Sequence, residues 1–405
     1  VQKLNDWKSR EIVSVDLNEL KNKKIALVLS GGVIKAAAWH LGVTLALEEL
    51  GFSLKSNKNS SSAQELNQKS LEIGTYVGSS AGAMICLYLA AGYTPQDVIQ
   101  ATLGIKGSRL KGISYKDMFS LKRPQLKAAK TDLYFPLEGF PYIIKKLIKP
   151  LISLPGLFST EGVRDYLIKN VIEKDNFEDF AADLFIVATQ LDHSRKVIFS
   201  KYNYPNPSHD STSVYYTGTN ISYAAAASMS VPPFYCPYPI KNKLTNQIDY
   251  YIDGEIRETL STHVAEDNGC EVIISSWTHT PYHFHDEIGS LVNYGLPPIA
   301  IQSIYLMIQK KIVSSRAERA KAIDIFESVN DYMKKEKFSQ THRREILALL
   351  QRKLNVNPKV KLIDIFPDHH DYKLFFANSF SLNSKVSAHA VEAGYKRTMQ
   401  ILGSR

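Results

Sequence analysis

The sequence predicts an α/β fold: a three-layer α/β/α arrangement around a mainly parallel central sheet, with a helical cap insertion and additional C-terminal helices. Three observations lead there. The chain up to Gly92 reads strand, loop, helix, strand, turn, helix, the signature of βαβ units and of a sheet covered on both faces. Its first strand, Lys24 to Leu29, is a short apolar run with none of the polar alternation of a half-exposed strand. Similar runs recur at Leu184–Thr189, Lys196–Ser200, Tyr250–Ile252 and Glu271–Ser275, so both halves of the chain supply strands.

Taken in order, residues 1–22 are a polar lead-in, and the strand from Lys24 stops at Ser30-Gly31-Gly32. A helix follows from Lys35 to Leu50, with Trp39, Val43, Leu47 and Leu50 at helical spacing and Gly51 as its stop. Ser56 to Lys69 is polar and reads as a loop insertion. Tyr76-Val77 closes the second strand, and a helix of small residues runs on to Gly92. Gly104 to Gly156, basic and punctuated by proline, reads as a cap. After Pro297-Pro298 an amphipathic face is marked by Ile301, Tyr305, Ile308, Ile312, Ala320, Ile323 and Phe326, and a last helix covers Val386–Leu402. The division expected is a lead-in over 1–22 and one catalytic domain over 23–405, carrying a basic cap insertion (104–160) and a helical insertion (286–365).

Composition narrows the function. Apolar content of 44% and charged content of 22% are those of a globular chain. No apolar run reaches the roughly 18 residues a transmembrane helix needs, and Ala81–Gly92 is better read as a buried helix. The opening residue is Val1, as expected of a trimmed or processed start. Cys86, Cys236 and Cys270 are odd in number and without metal-ligand spacing, which favours a reducing compartment over a disulfide framework. The net charge of +9 is concentrated between Lys106 and Lys169, where thirteen basic residues face five acidic ones. No nucleic-acid-binding signature accompanies them. Tyr142, Ile143, Ile144, Leu147 and Ile148 are interleaved with Lys145, Lys146 and Lys149, a mixture suited to an anionic lipid surface or to a closed lid.

Gly78-Ser79-Ser80-Ala81-Gly82 fits G-x-S-x-G, the nucleophile elbow, in which small residues permit a tight strand-to-helix turn that lifts the serine hydroxyl. Alone the motif is only moderately specific; the strand before it and the apolar helix after it give it weight. A serine needs a base. A histidine triad would draw on His263, His279, His283 or His285. Against it, the elbow follows a single βα unit, and a glycine-rich loop already stands at the end of the first strand.

These residues resemble the patatin-like phospholipase family. Ser30-Gly31-Gly32-Val33-Ile34-Lys35-Ala36 is similar to its oxyanion loop, Gly78 to Ala83 to its elbow, and Asp253-Gly254 to the motif that supplies its base. Ser228 to Phe234 resembles the segment preceding that base, and Ala188 to Leu191 a mid-domain strand end. Ala393 to Leu402 is weakly similar to the closing helix. The resemblance implies a Ser80–Asp253 dyad, in which Asp253 takes the serine proton directly and later activates water. It implies an oxyanion hole from the N–H groups of Gly32 and Val33, with Gly31 shaping the turn. Lys35, Gly78, Gly82 and Gly254 are supporting positions. Two departures stand out: Val33 replaces a third glycine, and Glu255 follows the Asp-Gly pair where a small residue is usual.

The expected activity is lipid acyl-ester hydrolysis of the phospholipase A or lysophospholipase type, without calcium, metal or cofactor. The histidines near His279 and the run Asp368-His369-His370-Asp371 read as loops, and no calcium-loop pattern occurs. Expected partners are membrane lipids or lipid droplets as substrate, no nucleic acid, and a protein activator of unknown identity. The expected location is cytoplasmic or peripheral to a membrane, and secretion as an effector is compatible with it. Two other readings stay open: a catalytically weakened lipid-binding or regulatory protein on the same fold, and a histidine-triad hydrolase of soluble esters.

Overall fold

The computed structural model describes residues 15–57, 71–121, 141, 154–204, 212–243 and 245–403. Ten strands among them form one mainly parallel sheet. Strand β1 (Ile25–Leu29) lies inside it, parallel to β3 (Leu71–Ser79) on one side and to β9 (Val272–Ser276) on the other. Beyond β9 comes β10 (Lys361–Ile365), and beyond β3 comes β4 (Asp183–Gln190), both parallel. Strand β5 (Arg195–Phe199) runs antiparallel to β4, with β6 (Ser213–Tyr216) parallel to it. Strand β2 (Phe52–Leu54) pairs with β3, and β7 (Tyr238–Lys241) forms an antiparallel pair with β8 (Ile248–Asp253).

The absence of polar alternation in β1 has a direct cause. Ile25, Leu27 and Leu29 enter one apolar cluster while Ala26 and Val28 enter a second, and all five are buried. A strand covered on both faces has no solvent side to mark. One face carries helices α1 (Val33–Glu49) and α2 (Ala81–Ala90). After them come α3 (Pro95–Thr102), α4 (Tyr115–Met118), α5 (Glu161–Asn170) and α6 (Ile221–Ser228). The other face is covered by α7 (Thr262–Asp267) and by Ile308 and Ile312 of the long α8 (Leu296–Lys335). Helices α9 (Gln340–Leu354), α10 (Tyr372–Phe376) and α11 (Ser384–Leu402) complete the chain. Helices α1 and α11 pack backbone to backbone: a Cβ at Gly42 would lie 1.9 Å from the Val391 carbonyl oxygen.

The three-layer α/β/α expectation is met. Four short strands escaped the sequence reading. Strand β10 is the informative one, because it falls inside the stretch 286–365 read as helical and instead joins the sheet beside β9. Of the cap region, 122–140 and 142–153 lie outside the described residues, and with them the basic and apolar stretch around Lys145, Lys146 and Lys149. The flanks that are described close on the domain through bridges from Ser120 to Ser159 and from Phe158 to Tyr235. Among the described residues no helix is long and apolar enough to cross a membrane.

Candidate active site

Parallel strands β1, β3 and β9 end together, with Leu29 opposite both Gly78 and Ser276. The carboxyl edge of such a sheet is where open α/β folds bind their ligands. Two glycine turns leave it side by side: Ser30 to Gly32 leads β1 into α1, and Ser80 leads β3 into α2.

The elbow is tight by necessity. Ser80 has φ 52° and ψ −122°, a conformation unusual for a side-chain-bearing residue and typical of strain held at functional positions. A Cβ at Gly78 would stand 2.5 Å from the Ala83 nitrogen, and one at Gly82 would stand 2.3 Å from the Leu29 carbonyl oxygen. No side chain fits either position, which is why the motif needs glycine there. The strained turn is held from behind: Ser80 N–H donates to Ser228 Oγ at 2.8 Å, and that hydroxyl donates to the Val187 carbonyl at 2.6 Å.

Sheet register brings Asp253 to the serine. Strand β3 follows β4 as far as the pair Ser79–Val187, then turns away at Ser80. Strand β8 takes over the vacated edge of β4 from the other direction, with Asp253 opposite Ala188. Asp253 thus arrives one residue past the point where β3 departs, close enough for the Ser80 hydroxyl to act on its carboxyl. Gly254 permits the approach, since a Cβ there would lie 2.4 Å from the Val187 carbonyl oxygen. Asp253 is buried, and burial raises its pKa to about 6 against the pull of the Ser80 hydroxyl and the Glu255 N–H, which donates to Oδ1 at 2.9 Å. An aspartate tuned this way titrates just below neutrality, where a general base is useful.

In the β1 loop, Val33 has φ 59°, so the β-branched residue at the third glycine position adopts the left-handed backbone the motif requires. Positive φ at such a residue costs on the order of 1–3 kcal/mol. Gly32 and Val33 N–H groups have no acceptor among the described residues and lie at the N-terminus of α1, where the helix dipole favours negative charge. Gly31 N–H is engaged: it donates to Glu255 Oε1 at 2.7 Å. Lys35 does not reach into solvent. Its buried Nζ donates to Tyr305 Oη at 3.0 Å and to the Leu374 carbonyl at 3.2 Å, tying the start of α1 to α8 and α10.

Of the four candidate histidines, His279 abuts the β1 loop: a Cβ on Gly32 would stand 3.3 Å from its Nε2. His263 contacts Glu258 at 3.6 Å, within a buried cluster that includes Lys196. His279 packs edge-on against Tyr305, and burial, then Lys35 and His40, lower its pKa to about 3. His283 meets the His369 ring edge-on, and His285 lies tilted against Tyr372. Among the described residues none of them hydrogen-bonds to Ser80 or Asp253, and no three His, Cys, Asp or Glu side chains converge as metal ligands. Cys86 is buried within α2, and burial pushes its thiol far above the ordinary range.

Two contributors escaped the sequence reading. His40, fully buried, contacts the Ser30 carbonyl through Nε2 at 2.9 Å and Ser276 Oγ through Nδ1 at 3.1 Å, and so anchors the loop. Ser228 supports the elbow from α6. Ser228 acts on Ser80 across 148 positions of chain, and His40 joins Ser30, ten residues back, to Ser276, 236 residues on, so neither belongs to a motif of consecutive residues. Beside the serine opens an apolar cavity of about 510 Å³, running from Val33, Ala81 and Met229 between α1, α2 and α3 to Val391 on α11. That volume lies within the roughly 300–1,000 Å³ range of small-molecule pockets.

The family model for patatin-like phospholipase matches residues 27–266, which hold the β1 loop, the elbow and the Asp-Gly pair. A search of the curated proteins found no match.

Proposed function

The chain belongs to the patatin-like phospholipase family, and from that premise we propose that it hydrolyses lipid acyl esters as a phospholipase A or lysophospholipase, with Ser80 as nucleophile and Asp253 as base. The observation that supports the reading is the register handover on β4, where β8 brings in Asp253 one residue past the point at which β3 turns away into Ser80. Ser80 Oγ attacks the ester carbonyl as its proton passes to Asp253. The tetrahedral oxyanion is held by N–H groups of the β1 loop, each such donor being worth about two to three powers of ten in rate. Collapse breaks the bond to the alcohol, which leaves with the proton from Asp253. A water then gives a proton to Asp253 and attacks the acyl-serine, and collapse breaks the bond to Ser80 Oγ, which takes the proton back from Asp253 as the fatty acid leaves.

The cavity beside Val33, Ala81 and Met229 suits the acyl chain, because it is apolar and opens next to the nucleophile. Membrane lipids or lipid droplets are the proposed source of substrate, with the stretch around Lys145, Lys146 and Lys149 as the proposed contact. No metal enters this chemistry, so activity is expected to be unchanged in EDTA. The direct test is fatty-acid release from phosphatidylcholine vesicles by the wild-type chain beside Ser80→Ala. Release that depends on Ser80 supports the reading; equal release by both proteins refutes it. A second reading, a catalytically weakened lipid-binding protein, draws on the strained Val33 and on Glu255 at the Gly31 N–H.

A further inference from the structure

Glu255 stands in an unusual place for a carboxyl group. It follows the Asp-Gly pair in a short turn at the end of β8 and folds back across the β1 loop. Oε1 accepts the Gly31 N–H at 2.7 Å. A Cβ built on Gly31 would lie 2.7 Å from Glu255 Cγ and 2.8 Å from Ser80 Cβ, so the glutamate stem lies over the same few ångströms of the loop that the nucleophile faces. Its other oxygen, Oε2, is sealed from solvent and finds no hydrogen-bond partner among the described residues. A planar sp² oxygen accepting a loop N–H beside the nucleophile is also what a bound ester carbonyl would present there.

We propose that Glu255 is a self-inhibiting stopper: in the resting protein its carboxyl holds the Gly31 N–H and its stem covers the loop beside Ser80, and it must swing out before an ester carbonyl can reach the free Gly32 and Val33 N–H groups. The inference rests on the Ser80–Asp253 reading and deepens it. The seat is easily vacated, for physical reasons. A buried oxygen without a partner is destabilising relative to a satisfied one. Burial, and next the neighbouring Asp253 carboxylate, hold the Glu255 pKa well above its usual range, with Glu258 adding to the effect and the Gly31 N–H and Lys311 opposing it. Lys311, on α8, already donates to the Ile256 carbonyl at 3.1 Å at the exposed side of this turn. It offers a departing carboxylate a cation in water, so the closed and open positions are each held by one identifiable partner.

Three variants of the full chain test this, assayed with p-nitrophenyl butyrate and by the rate of fluorophosphonate labelling of Ser80. Glu255→Ala and Glu255→Ser clear the loop beside Ser80 without adding bulk, and each is expected to raise kcat/KM and the labelling rate at least tenfold. Glu255→Gln keeps the shape and an acceptor oxygen while removing the charge, and is expected to stay within about threefold of wild type. Unchanged or lower rates in both small variants, which differ in polarity and share only the missing carboxyl, overturn the stopper. A gain in Glu255→Gln equal to that in Glu255→Ala assigns the effect to charge beside Asp253 and overturns occupancy as well. Failure of the underlying reading looks different: Ser80→Ala in the Glu255→Ala background would then leave hydrolysis intact.

Discussion

The elbow after β3 and the loop after β1 do the same structural task, leading a buried strand into a helix N-terminus within a few residues, yet their tolerances differ. At the elbow, a Cβ on either glycine would meet backbone atoms at 2.3–2.5 Å, the serine is strained, and Ser228 bolts it to Val187. In the β1 loop the third glycine position holds Val33 at φ 59°, and the first N–H is taken by a glutamate. On the proposed reading, the nucleophilic half of the site is braced from behind, while the half proposed to stabilise the oxyanion is strained at Val33 and engaged only at Gly31. Nucleophile geometry admits no substitution because backbone stands on every side. Oxyanion stabilisation needs only N–H groups, which a valine supplies as well as a glycine does.

That contrast breaks first at the dyad. Ser80→Ala and Asp253→Asn are each expected to lower kcat/KM by about three powers of ten or more, measured on phosphatidylcholine and on a soluble ester. Retention of activity in either variant would remove the elbow's claim to be the working half.

Asp253 also sets a pH dependence in two observables. The base must be ionised, so kcat/KM is expected to fall as pH drops through about 6. Stability runs the opposite way. Between the ordinary Asp value of about 3.9 and the folded value of about 6, the native state keeps a proton that the unfolded chain has released. Stability therefore declines as pH rises through that window and is not regained above it. Asp253→Asn is expected to raise stability at pH 7 by up to about 3 kcal/mol and to add little at pH 4. Urea unfolding at the two pH values checks this, and an equal gain at both would contradict a buried, charge-penalised base.

Ser228→Ala comes next. It removes the acceptor for the Ser80 N–H and the donor to the Val187 carbonyl, leaving buried groups unsatisfied, at a cost of about 1–3 kcal/mol. Turnover should fall with stability, since the elbow loses its brace. The smallest effect is expected at Val33→Gly, which relieves positive φ but loses the apolar contact with the cavity. A net stability change within about 1 kcal/mol and a rate change within a few fold would keep the loop's strain a tolerated feature. A gain of a hundredfold would show instead that Val33 disables the oxyanion hole.

Much of this was legible in the sequence because it is local. The elbow, the β1 run and the Asp-Gly pair each announce themselves over a few consecutive residues, and the three-layer fold follows from strands apolar on both faces. What escaped was short or non-local. Strand β7 is four residues long and contains Pro239, β6 is also four residues, and β10 sits between a helix and a loop with no neighbouring strand in sequence. Ser228 and His40 act across 148 and 236 positions of chain, on Ser80 and Ser276 respectively. Glu255 could be marked as out of pattern, but only the crossing of β8 over the β1 loop reveals that its carboxyl reaches the Gly31 N–H 224 residues away.

On the proposed reading Ser80 is made nucleophilic by Asp253 alone. Its most direct test is peptide mapping by mass spectrometry after treatment with an alkyl fluorophosphonate, because the reagent bonds only to an activated hydroxyl. The account predicts one adduct on Ser80, absent in Ser80→Ala, slowed at least a hundredfold in Asp253→Asn, and formed at the wild-type rate when His263, His279, His283 and His285 are replaced singly. An adduct on another residue, or labelling of Ser80 that depends on one of those histidines and not on Asp253, would contradict it.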